Sequence, residues 1–117
     1  MQNFKELIVW QKAHKNVLLI YNQTKTFPKE ELYGITSQLR RAAVSIPTNI
    51  AEGSGKSTKK DFANYLQTSL GSSQEVEYLI LLCLDLNFIS TKVYNELSNL
   101  NNEVKAMLIS LIKKVRS

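Results

Sequence analysis

Cysteine is nearly absent. The single Cys83 lies in the apolar run YLILLCL at residues 78–84, so no intrachain disulfide can form, and the residue reads as a small buried hydrophobe of a reducing, cytoplasmic protein. Histidine is equally scarce: His14 and one cysteine cannot furnish a zinc site. No Glu-x-x-His pair occurs, which excludes the ferritin-type di-metal bundle, and His14 stands in no serine motif, which leaves serine nucleophiles without a base. His14 is expected instead to be packed and hydrogen-bonded on the apolar side of the first helix. Catalytic residues, metal ligands and cofactors are accordingly not expected. Long apolar runs are missing too. Nothing approaches the roughly 18 unbroken apolar residues of a membrane span, and Lys5, Glu6 and Lys12 interrupt the first dozen residues, so neither anchor nor signal peptide is expected.

Two prolines and four glycines leave little punctuation, and the intervals between them step by three and four residues rather than alternating. The want of any strand also disposes of an apparent motif. Gly53-Ser54-Gly55-Lys56-Ser57 mimics the end of a phosphate-binding loop, yet the first glycine of G-x-x-x-x-G-K-[ST] would fall at Ile50, and the segment follows a helix. Nucleotide hydrolysis has no support.

What is present is four blocks of helical periodicity. Leu7, Trp10, His14, Val17, Tyr21 and Thr24 form the apolar stripe of a first helix over about 6–25, with Lys5, Lys12, Asn16 and Gln23 opposite; Phe27-Pro28 ends it. A second helix, about 29–52, aligns Leu32, Ile35, Leu39, Ala43, Ile46 and Ile50, with Pro47 inside it as an expected kink. A third, about 58–87, opens on Thr58-x-x-Asp61, aligns Phe62, Leu66, Ser69, Ser73, Val76, Ile80 and Leu84, and stops at Asn87. Ser90 or Thr91 caps a fourth over about 91–115, where Val93, Leu97, Leu100, Val104, Met107, Leu111 and Val115 make a near-heptad seam. Between the second and third, Gly53 is expected to supply a left-handed turn and Ser57 or Thr58 the next cap. The fold class is all-α: an antiparallel up-and-down four-helix bundle, one domain over residues 1–117.

Two faces carry more than a solitary bundle needs. Residues 78–84 are apolar all the way round, so the second half of helix three wants cover on more than one side, which a second copy of the chain supplies most simply. The outer side of helix two bears Gly34, Gln38, Arg41, Ser45, Thr48, Asn49 and Glu52, side chains short enough to let another surface approach. Gly71, Ser72 and Ser73 would allow the same on helix three, with Glu75 as a partner for Arg40 or Arg41. Oligomer or structural polar contacts are thus expected at Arg41, Ser45, Asn49, Glu52, Gly71, Ser72 and Glu75.

Charge is uneven. Residues 1–60 hold ten Lys or Arg against four acids, whereas residues 61–117 hold five against six. A basic first half favours a polyanionic partner, nucleic acid first. The expected phosphate contacts are Lys12 and Lys15 on helix one, Arg40 and Arg41 on helix two, and Lys56, Lys59 and Lys60 at the entry to helix three, where free N–H groups also favour anions. No aromatic-interleaved basic tract or base-reading motif occurs, so recognition would not depend on base sequence.

QLRRAAVSIPTNIAEGSGKS, preceded by VWQKAH and FPKEELYG and followed by KDFANYLQTSLGSSQEVEYLI, resembles the four-helix-bundle proteins encoded by intervening sequences in 23S ribosomal RNA genes. The resemblance covers about residues 7–84, with Ser69 where alanine is expected; the last helix matches only in its heptad character. It implies a homo-oligomeric ring, with a pentamer as the ring size, and a biochemical role that is largely unassigned. It also implies kinship with basic pentamers that accompany diversity-generating retroelements and act with a reverse transcriptase and RNA. Two readings follow: a non-enzymatic oligomeric scaffold that binds RNA through phosphates, and an assembly module that docks a partner protein without touching nucleic acid.

Overall fold

The computed structural model describes residues 2–117. After a 3₁₀ turn at Phe4–Glu6 come α1 (Ile8–Thr24), α2 (Ile35–Ser54), α3 (Lys59–Asp85) and α4 (Thr91–Arg116), with a second 3₁₀ turn at Lys29–Glu31. Each helix packs on its chain neighbours and α1 closes against α4, while α1 and α3, like α2 and α4, stand at diagonal corners. The result is an up-and-down bundle of 43 × 24 × 20 Å. Its basal end gathers the N-terminal turn, the α2–α3 joint and the end of α4, and is tied by the Gln2 N–H donating to the Ser54 carbonyl at 2.9 Å. Its apical end gathers the other two joints, where the Phe27 and Phe88 rings meet at 5.4 Å.

Caps set the later helices. Thr58 Oγ1 accepts from the Asp61 N–H and Ser90 Oγ from the Val93 N–H, each at 3.1 Å. Asn87 does stop α3: it holds φ 61°, which asparagine tolerates because its short amide can bond locally, and the helix ends two residues earlier, at Asp85. The start of α2 differs from expectation. Glu31 and Leu32 donate to Pro28 and Lys29 carbonyls, three residues back, so Lys29 opens only a tight turn, and α2 begins at Ile35 after the non-helical Gly34. From there α2 runs through Pro47 as one uninterrupted helix.

Gly53 makes no left-handed turn. It lies buried inside α2, and no glycine among the described residues has a positive φ. A Cβ there would stand 2.6 Å from Tyr65 Cβ and 3.1 Å from Phe62 Cδ1, so glycine is required because α2 and α3 press together at this point. Gly55 instead closes the helix, donating its N–H to the Glu52 carbonyl at 3.2 Å. Gly53→Ala is therefore expected to destabilise by about 2 kcal/mol, because a 2.6 Å approach to another Cβ puts the overpacking cost at the upper end of its range, roughly 3 kcal/mol, against a helix-propensity gain of about 1. Chemical denaturation checks this; an unchanged or raised midpoint contradicts it.

Two stripes are rotated from their expected positions. On α1 the buried line is Val9, Ala13, Asn16, Ile20 and Thr24. Asn16 is core, whereas Trp10 sits at the margin and His14 and Tyr21 are exposed. Rings with a polar atom are accommodated at such margins, and the closely packed line behind them is filled by shorter side chains. On α4 the centre of the buried face is Leu97, Asn101, Val104, Leu108 and Ile112, with Leu100, Met107, Leu111 and Val115 half-buried beside it. The heptad seam fits one partner, but α4 packs on both α1 and α3, which widens and turns its apolar face. The α2 stripe holds except for exposed Leu32, and the α3 stripe holds with Leu84 half-buried. Cys83 is fully buried, and burial pushes its thiol up to about 11, which leaves it uncharged at neutral pH.

Candidate nucleic-acid interface and assembly faces

The antiparallel topology sorts charge by end rather than by half-sequence. Lys5, Lys56, Lys59 and Lys60 reach the basal end, and the last turn of α4 brings Lys113, Lys114 and Arg116 beside them, against Glu6, Glu52 and Asp61. The apical end has Lys25, Lys29 and Lys92 against Glu30, Glu31, Asp85 and Glu96. Lys59, Lys60 and Arg116 line one basal cleft of about 270 Å³ with Asn64. Lys56 stays nearby with its ammonium 5.1 Å from the Tyr65 ring centroid, a cation–π contact that leaves its charge available. The second half of the sequence, acidic in net charge, thus supplies nearly half of the basic end. The signal for Lys113, Lys114 and Arg116 was available: in an up-and-down bundle the fourth helix must finish beside the second loop.

The other expected phosphate contacts do not join this surface. Lys12 pairs with Glu103 of α4 at 2.7 Å, which neutralises it locally. Lys15 is exposed on α1 and makes no ion pair among the described residues. Arg40 is a joint between helices: its Nε donates to Thr24 Oγ1 at 2.8 Å and its guanidinium lies 4.7 Å from the Tyr21 ring centroid. Arg41 is exposed and lines a groove with Tyr21, Val44, Ser45, Thr48 and Asn49.

Of the residues expected to make oligomer or structural polar contacts, Ser45, Ser72 and Asn49 bond within the chain. Ser45 and Ser72 hydroxyls meet at 2.8 Å across α2 and α3, and Asn49 Nδ2 donates to the Ser45 carbonyl at 2.8 Å, because short side chains let these helices approach. Gly71 has open space where a side chain would be, and so tightens no contact inside the bundle. Glu75 is exposed and forms no ion pair with Arg40 or Arg41; the pairs on α3 and α1 go to α4, as in Lys105–Glu77 at 3.2 Å. Glu52 lies at the basal end of a groove of about 580 Å³ between α1 and α2, walled by Phe4, Trp10, His14, Val44 and Pro47. His14 is not packed inside; it stacks on Trp10 at 4.9 Å with the planes 6° apart.

Exposed apolar side chains include Leu18 (57% exposed), Tyr21 and Val44 along α1 and the adjoining edge of α2, and Tyr78 (60% exposed) and Leu81 on the diagonal helix α3; Ile8, Ile109 on α4, and Leu32, Tyr33 and Leu86 at the apical joints are exposed as well. Among the described residues no group of three or more His, Cys, Asp or Glu is placed to hold a metal ion, and no helix is long and apolar enough to cross a membrane.

The profile of the 23S rRNA-intervening sequence protein family matches residues 5–110. The chain belongs to this family. Its fold recurs in the crystal structure of a protein of unknown function from the S23 ribosomal protein family of Bacteroides thetaiotaomicron VPI-5482. That structure superposes with a TM-score of 0.84 and 28% sequence identity over 91% of this chain and 99% of the other. No curated protein matches the chain. Membership in the 23S rRNA-intervening sequence family extends the resemblance through most of α4, whose seam alone had suggested it.

Proposed function

We propose that the protein is a non-catalytic helical scaffold of the cytoplasm that assembles with copies of itself and holds RNA by its phosphates on the basal end. The observation that carries this reading is the convergence of Lys59, Lys60 and Arg116 on one cleft, with Lys56, Lys113 and Lys114 at the same end. Lysine and arginine contacts to phosphate supply affinity without base readout and release counterions, so binding weakens with salt. Self-assembly is supported by apolar surface on two diagonal corners, α1 with α2 on one side and α3 on the other. Two different faces joined head-to-tail make a ring when the rotation closes, and five copies is the size the family resemblance implies. A second reading, an assembly module that docks a partner protein and never meets nucleic acid, draws on the 580 Å³ groove between α1 and α2.

Fluorescence polarisation of a structured RNA titrated with the wild-type protein, at low and at moderate salt, separates the two. The scaffold reading expects binding at low salt that is largely lost at moderate salt. Absence of binding at low salt rejects it and leaves the protein-docking module.

A further inference from the structure

We propose that the cleft beneath the α1–α2 joint binds a single tetrahedral oxyanion, phosphate or sulfate, at the opposite end of the bundle from the basal surface. The cleft holds about 140 Å³ and is lined by Lys25, Lys29 and Arg40 together with the hydroxyl residues Thr24 and Thr36. That volume is well below the roughly 300 Å³ at which small-molecule pockets begin, yet several times the ~30 Å³ share of one water, so it suits a group of a few heavy atoms.

Three features of the cleft point to an anion. Thr36 is 3% exposed and its Oγ1 has no hydrogen-bond partner, although a buried hydroxyl left unsatisfied is destabilising. An oxyanion would accept its proton. Thr36 also lies in the first turn of α2, whose preceding residue, Gly34, offers no side-chain cap; the first backbone donor to find a carbonyl is Gln38, to Gly34 at 3.0 Å. Among the described residues the N–H groups of Ile35, Thr36 and Ser37, of which Thr36 lines the cleft, have no acceptor, in contrast to the starts of α3 and α4, which Thr58 and Ser90 cap. Lastly, Arg40 is held in place before any ligand arrives. Its Nε bond to Thr24 Oγ1 and its stacking on Tyr21 fix the guanidinium plane, while its two terminal nitrogens make no hydrogen bond and remain free to fork onto two oxygens.

Glu30 and Glu31 belong to the same joint but do not line the cleft. Glu31 carries its Oε1 to within 2.7 Å of where a Cβ on Gly34 would stand, close to the uncapped turn, and so opposes an anion there. The ligand is specified by charge and size, which a free phosphate and a phosphate of a nucleic-acid backbone share.

The test compares thermal midpoints and calorimetric titrations of the full chain with inorganic phosphate against chloride at equal ionic strength. Wild type is expected to be stabilised by phosphate and not by chloride. Thr36→Val should weaken phosphate binding about ten- to a hundredfold, the worth of one hydrogen bond to a charged group, while its midpoint in chloride is unchanged or higher because an orphaned hydroxyl has gone. Lys29→Gln should weaken phosphate as well, Glu31→Gln should strengthen it, and Lys105→Gln, on the side of the bundle and paired with Glu77, should leave it unaltered. Competition by a ribodinucleotide assigns the site to backbone phosphates; its failure to compete assigns it to the free anion. Equal responses to phosphate and chloride in wild type, or an undiminished phosphate response in Thr36→Val, overturns the proposal.

Discussion

Replacing Lys59, Lys60 and Arg116 together by glutamine is expected to weaken the binding of a structured RNA by about two orders of magnitude near 0.1 M salt. Each phosphate contact contributes a slope of about 0.7–0.9 in log affinity against log salt, so three contacts amount to roughly two decades between 0.1 and 1 M. The loss should be electrostatic alone. All three side chains are exposed, and among the described residues neither lysine is in an ion pair and Arg116 reaches only Gln67 Oε1, at 3.5 Å, so stability should change by no more than about 0.5 kcal/mol. Lys12→Gln provides the contrast. Because Glu103 already neutralises that ammonium, its replacement should leave RNA affinity within about twofold, in keeping with the small worth of exposed pairs. Polarisation titrations of the variants at one salt concentration check both. A triple variant that binds as wild type does, with Lys12→Gln impaired, would move the RNA to the side of α1.

Leu81→Asp on α3 and Val44→Asp on α2 are each expected to convert the wild-type assembly into monomer without unfolding it. Both residues are exposed, Leu81 by 42% and Val44 by 36%, so a carboxylate at either is hydrated in the isolated bundle and buried only where a second copy covers it. The pairing of unlike faces makes a sharper statement. Each variant keeps one intact face, so an equimolar mixture should form heterodimers and no ring, whereas faces that pair with themselves would form homodimers of at least one variant. Light scattering, with far-ultraviolet circular dichroism as the check on folding, reads all of these states. Wild type that is monomeric at every concentration, or variants that assemble unchanged, contradicts self-assembly through these faces.

The bundle was readable because nearly every interval between prolines and glycines steps at helical spacing, and Thr58, Asn87 and Ser90 are strong local signals for where helices begin and end. What misled were properties that depend on neighbours. Leu7, Trp10, His14 and Tyr21 repeat as regularly as Val9, Ala13, Asn16 and Ile20, and periodicity cannot choose between adjacent stripes until the distance to α2 and α4 is known. Gly53 has the residue type of a helix terminator, but its role comes from Tyr65 and Phe62, twelve and nine residues further along on α3. The basic surface was half visible for the same reason. Lys56, Lys59 and Lys60 are contiguous enough to notice, whereas Arg116 joins them only when α4 is folded back along α3. Arg40 stands out in the sequence for its charge, and its neighbours Thr24 and Tyr21, from the previous helix, turn it into a joint.

The salt dependence of RNA affinity, measured for wild type and for the Lys59, Lys60, Arg116 triple variant, tests the central claim most directly. Binding through phosphates on the basal end predicts a slope of log affinity against log salt of about −3 or steeper in wild type, and shallower by about 2 in the variant, since three contacts are gone. A slope near zero, or one that the three substitutions leave unchanged, would contradict it.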